Sequence, residues 1–133
     1  MTIKSGERVE GNTASSATII TMAAAAASTV NSADQTNENG RGVQVVVDIT
    51  IATTTSVTFK IQGKDPVSGA YYDLLTSAAL SSVATTLLTV YPGLTAASNT
   101  VVSQVLPRVW RVNAVITGGS SALTATVGAN VIV

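Results

Sequence analysis

The chain has no cysteine and no histidine among its 133 residues. The first absence excludes disulfide staples and thiolate nucleophiles. The second removes the imidazole base and the commonest metal ligand. A Ser-His-Asp arrangement is therefore impossible, however many serines and threonines the chain carries. Charge is scarce as well: seven basic and seven acidic residues make up 11% of the chain, against about 25% in an ordinary soluble domain. The two signs cancel, so the field that holds a phosphate backbone is missing and nucleic acid is not an expected partner. Aromatic residues are only 4%, which leaves few rings to line a sugar site.

What is present is apolar but small. Hydrophobic residues make up 46% of the chain, chiefly Ala and Val diluted with Ser and Thr. The length suits one domain with a single core. A free monomer with so few charges is poorly protected against association. Much of its surface is expected to be covered, most simply by copies of itself or by a larger assembly.

The stretch "ATIITMAAAAAS", Ala17 to Ser28, is the one candidate for a targeting or membrane segment. A spanning helix needs roughly 20 apolar residues, and this is too short. It follows Glu7, Glu10 and a polar run, whereas a secretory signal feeds a basic start directly into its apolar region. The expectation is an intracellular product with no membrane partner. Residues 1–16 are polar, rich in Gly, Ser and Thr, and without periodicity. They read as a flexible N-terminal arm ahead of a domain spanning residues 17–133.

Ala17 to Ala27 is ambiguous, because Thr18-Ile19-Ile20-Thr21 favours a strand and the alanines favour a helix. "NSADQTNENGRG", Asn31 to Gly42, reads as a loop. From there the period is two. Val43, Val45, Val47, Ile49 and Ile51 share one face; Val57, Phe59 and Ile61 alternate with Thr58, Lys60 and Gln62. The chain then turns through Asp65-Pro66 and Ser68-Gly69 and resumes at Tyr71-Tyr72. A run ending at Val90 meets Pro92-Gly93, which specify a turn of type II character. Trp110, Val112, Ala114 and Ile116 alternate, Gly118-Gly119-Ser120 turns the chain, and Leu123 to Val133 alternates to the terminus. About seven strands separated by Pro/Gly turns predict an all-β fold, an antiparallel β-sandwich of jelly-roll or Ig-like type.

Little of this supports catalysis or cofactor binding. A Ser-Lys pair needs a buried lysine, and of Lys4, Lys60 and Lys64 two are placed in loops or the arm. Asp48 and Asp73 sit on strand faces, and Asp65 precedes Pro66, the usual place for an Asx turn. "DQTNENG", Asp34 to Gly40, resembles a calcium loop, but its glycine falls at the seventh position instead of the sixth and no helices flank it. "TGGSSA" has no lysine and no following helix, so it is not a phosphate loop. Tyr71 and Tyr72 point to opposite faces of a strand, and Trp110 lies among core residues. No cofactor or metal is expected, and no enzymatic activity.

The tracts "NSADQTNENGRGVQVVVDIT", "IQGKDPVSGAYYDLLTSAAL", "VYPGLT" and "VLPRVWRV" resemble small virion proteins encoded among the structural genes of tailed bacteriophages, over Asn31 to Val133. The resemblance implies a β-sandwich virion protein, and within that group a capsid decoration (cement) protein. Such a protein sits on the phage head, commonly as a homotrimer, and clamps neighbouring subunits of the major capsid protein. A tail-tube or tail-tip subunit and a carbohydrate-binding module are the alternative classes. Candidate contact residues are Ile3, Lys4, Glu7, Arg8 and Val9 in the arm, and Arg41, Lys64, Asp65 and Tyr72 in or beside turns. The hairpin tip, Lys64 to Ala70, is the expected contact loop.

Overall fold

The computed structural model describes residues 17–53, 55–118 and 123–133. The arm candidates Ile3, Lys4, Glu7, Arg8 and Val9 lie outside the described residues. The described chain contains strands and no helix, so none is long and apolar enough to cross a membrane. The strands are β1 (Ala17–Ala25), β2 (Ser28–Asn31), β3 (Gln35–Thr36), β4 (Gly42–Ala52), β5 (Thr55–Lys64), β6 (Tyr71–Thr76), β7 (Ala84–Val90), β8 (Val101–Val102), β9 (Val109–Gly118) and β10 (Leu123–Ile132). They form two sheets, ordered β1-β10-β4-β7-β8 and β2-β9-β5-β6, with β3 also paired to β9. The sheets pack face to face as a β-sandwich.

Among the described residues, ten strands replace the roughly seven expected. The three extra ones are β2, β3 and β8, of four, two and two residues, too short for a period of two to register. β3 lies inside the stretch read as a loop, and the β7–β8 pair is parallel where an antiparallel fold was expected. The ambiguous alanine segment is strand β1. Its pairing with β10 slips twice, between Thr18 and Ile20 and between Met22 and Ala25, and Ala24 takes a φ of +47°. These irregularities break the alternation that would have marked it.

The core lies between the sheets. The inner face of the first contributes Ile20, Met22, Val43, Val45, Val47, Ile49, Leu88 and Val127, and that of the second Val57, Phe59, Ile61, Trp110, Val112 and Ile116. Ile51, expected inward, is exposed. Thr124 pairs with Ile51 but Ala125 with Ile49, so Thr50 is an extra residue on β4 and the alternation flips beyond it. Val131 and Val133 are likewise not buried, although β10 is paired as far as Ile132.

Registers fix the two ends of the sandwich. Gly42, Ile132, Val90, Lys64 and Val109 gather at one end. At the other lie the turns after Ala25, Ala52 and Thr76.

Candidate functional site

The β5–β6 hairpin forms where alternation and turn chemistry predict it. Asp65 and Ala70 close the tip through Asp65 N–H to the Ala70 carbonyl at 2.8 Å. Asp65 Oδ1 accepts the Val67 N–H at 2.9 Å and Oδ2 the Ser68 hydroxyl at 2.9 Å. Gly69 takes a φ of +77° to complete the turn. The Val67 amide first, then Ser68, hold the Asp65 carboxyl below the usual carboxylate range. Lys64 is the last residue of β5, not part of a loop as expected.

β6 carries a bulge, because Leu75 pairs with Ile61 while Asp73 pairs with Gln62. Leu74 is the extra residue. It lets Leu75 reach the core while Tyr71 and Asp73 face outward beside Lys64 and Gln62. A continuous polar network results on the outer face of the second sheet. Lys60 Nζ lies 3.1 Å from Asp73 Oδ2, and Gln62 Nε2 donates to Asp73 Oδ1 at 2.8 Å. Arg111 Nε donates to Gln62 Oε1 at 2.9 Å, and its guanidinium stacks 3.4 Å from the centre of the Tyr71 ring. The Tyr71 hydroxyl donates to Asp34 Oδ1 at 2.7 Å, and Lys64 Nζ reaches Asp34 Oδ2 at 3.0 Å.

The network sets protonation states. The Tyr71 hydroxyl, then Lys64, lowers the Asp34 carboxyl, and Asp34 in turn raises the Lys64 ammonium. Gln62, then Lys60, lowers Asp73. All three groups are shifted away from neutral pH, where proton transfer needs them. They are built to hold fixed charge.

Beside the network, at the same end, lies a cleft of about 720 Å³. One wall is the hairpin tip from Lys64 to Gly69 with Tyr72; the other is formed by Asp34, Thr36 and the segment Pro107–Val109. The Tyr72 ring lies over Gly63, where a methyl group would come within 2.5 Å of it, and remains 45% exposed. Asn37 anchors the second wall. It is only 7% exposed; its Nδ2 donates to the carbonyls of Gly40 (2.9 Å) and Leu106 (3.1 Å), and its Oδ1 accepts the Gly40 N–H. The Asn37 N–H also bonds the Arg108 carbonyl at 2.6 Å.

Of the expected contact residues, Lys64, Asp65 and Tyr72 line this cleft together. Arg41 lies at the same end, tied through its backbone to Ile132 and Leu106, but does not line it. Arg108, which does, was not singled out from the sequence, nor were Asp34, Asn37 and Arg111. The Asx-rich composition of Asp34–Gly40 was the one available signal, and it is met by the Asn37–Gly40 turn. Among the described residues no group of three carboxylates could hold a metal ion. The Arg111 guanidinium covers one face of the Tyr71 ring, and Trp110 is 1% exposed. Compared with known proteins, the chain matches no family model, no curated protein and no solved structure.

Proposed function

We propose that the protein is a non-enzymatic structural subunit of a virion, a capsid decoration protein that binds the outside of a tailed-phage head and clamps neighbouring major capsid subunits. The observation that carries this reading is the division of its surface. The outer face of the first sheet presents Gln44, Val46, Thr85, Leu87, Thr126 and Gly128, with Asp48 its one charged residue among those described. The other described charges lie on the outer face of the second sheet or at the cleft end. A neutral face of small residues suits contact with identical copies, where charge would have to be desolvated. The charged outer face of the second sheet, with Lys60, Asp73 and Arg111, suits a partner of different composition. Many modest contacts on a repeating lattice then add through avidity.

The sequence resemblance supports the same role, and implies a threefold arrangement of copies. The test is location in purified particles. Protein found on heads, and rebinding to undecorated heads, supports the proposal. Protein confined to tail fractions replaces it with the tail-subunit reading, and glycan binding by a lone monomer replaces it with the carbohydrate-binding one. Deleting residues 2–16 is expected to leave the β-domain folded and weaken attachment. Equal occupancy and equal salt resistance would show that these residues are not the attachment device.

A further inference from the structure

The cleft is lined by four charged side chains, and three of them are committed. Asp34 and Lys64 pair with each other, and the Asp65 carboxylate is engaged by its own turn. Arg108 differs: its nearest carboxylate, Glu38, stands 4.0 Å away, and the two side chains are 71% and 55% exposed. Beside these charges the walls carry apolar groups, Pro66, Val67, Pro107, Val109 and the Tyr72 ring. Val67 is 94% exposed at the tip. An open trough with apolar patches and one loosely paired, exposed guanidinium fits an extended peptide that presents a small aliphatic side chain beside a carboxylate.

The chain itself contains such a segment. Glu7-Arg8-Val9-Glu10 sets a valine between two carboxylates. The topology brings its root to the cleft end. Ala17 pairs with Ala129, three residues short of Ile132, which pairs with Gly42 at that end. At about 3.4 Å per residue this is roughly 10 Å along the strand. Sixteen residues can span at most about 55 Å, against a radius of gyration of about 13 Å for a domain of this size.

We infer that residues 1–16 of one copy occupy the cleft of a neighbouring copy, with Val9 against the apolar walls and Glu7 or Glu10 on Arg108. Exchange between copies, and not folding back, rests on the reading above, in which neutral faces bring copies side by side. A contact between arm and cleft is heterologous, and when its rotation closes it makes a ring. The arm would then be the link that joins a ring of subunits.

The absence of cysteine permits a direct test on the full-length protein. Chains carrying Val9→Cys are mixed with chains carrying Val67→Cys and oxidised mildly. Val67 is so exposed that its replacement leaves the fold intact. A disulfide-linked heterodimer that dominates over homodimers is the expected product. In place of Val67→Cys, the control partner carries Val83→Cys, at the opposite end and 65% exposed, and should cross-link far less. Equal yields with the two partners overturn the proposal. So does a doubly substituted chain, Val9→Cys with Val67→Cys, that closes only within itself. In sedimentation, Arg108→Glu should weaken association about two- to fivefold, the range of an exposed ion pair, and Glu7→Arg with Glu10→Arg should restore it. No weakening, or no restoration, counts against the assigned pairing. None of these measurements involves phage heads, so failure here is distinct from failure of the head-binding role.

Discussion

Trp110 lies on the inner face of β9 toward the cleft end and is 1% exposed, yet its indole nitrogen finds no hydrogen-bond partner among the described residues. Packing therefore outweighs the cost of an orphaned donor, about 1–3 kcal/mol. Trp110→Ala should lose roughly 3–5 kcal/mol in a urea titration, as for other large-to-small changes in cores. Trp110→Phe should lose clearly less, because it keeps a ring and removes the orphan. If both substitutions leave the midpoint unchanged, Trp110 is not a core residue. Two glycines make a sharper pair. A methyl group at Gly42 would fall 2.1 Å from the Val90 carbonyl oxygen, which is backbone in a central ladder; at Gly63 it would meet the outer end of the Tyr72 ring. The ring can swing outward and the carbonyl cannot. Gly42→Ala should thus cost about 1–3 kcal/mol, and Gly63→Ala less, with the change confined to the cleft. Equal losses in thermal melts would contradict that ordering.

At the scale of elements, the second wall of the cleft hangs on Asn37. Asn37→Ala removes the hydrogen bonds its side chain makes to Gly40 and to the Leu106 carbonyl, at about 1–3 kcal/mol. Amide exchange should accelerate in β3 and Leu106–Arg108 before it does in β5. Uniform acceleration would show that the wall is no separate unit. The polar network on the second sheet responds to pH with a definite sign. Asp34, Asp65 and Asp73 all have lowered folded-state values, so their stabilisation is present above the ordinary carboxylate pKa, about 3.9, and is lost as pH falls through their lower folded values. Lys64 is raised, so its contribution is full below about 10.4 and is lost as pH rises through its folded value. Stability should be level between these limits and fall outside them. With no histidine in the chain, no step is expected near pH 6.5. Tyr71→Phe, followed by carboxyl NMR titration, should move Asp34 back toward the ordinary value; an unmoved Asp34 would exclude the hydroxyl as the main cause.

For the whole molecule, connectivity sets the folding rate. β1 pairs with β10 and β4 with both β10 and β7, joining segments from opposite ends of the chain. Loops that long must close before the core rewards them, which places refolding in the range of about milliseconds to seconds. Stopped-flow fluorescence of the single tryptophan can follow it, and refolding within microseconds would contradict this topology. The charge division also acts at this scale. Contacts through the neutral face should resist salt, whereas those through the cleft end should weaken as ionic strength screens exposed charges.

Strand positions and most of the core were readable in one dimension, because alternation over β4, β5, β9 and β10 is a local pattern that burial on one face requires. The hairpin and the Pro92-Gly93 turn were readable for the same reason: their chemistry lies in adjacent residues, and Gly93 does take a φ of +87°. Two-residue strands have no period to read, and a bulge is decided by the partner strand, as at Thr50 and Leu74. Tyr71, Asp73 and Leu75 have the same parity in sequence, yet only the pairing with β5 sends Leu75 inward and the other two outward. The cleft was hidden more completely. Lys64 could be named as part of a contact loop, but its partner Asp34 lies thirty residues earlier and Arg108 more than forty later. Local physics determined that this chain would be a sandwich of strands with an exposed hairpin. Which charges meet, and that a cleft opens between the hairpin tip and Pro107–Val109, was decided only when the sheets packed, because hydrogen bonds and ion pairs depend on proximity in space, which sequence separation does not encode.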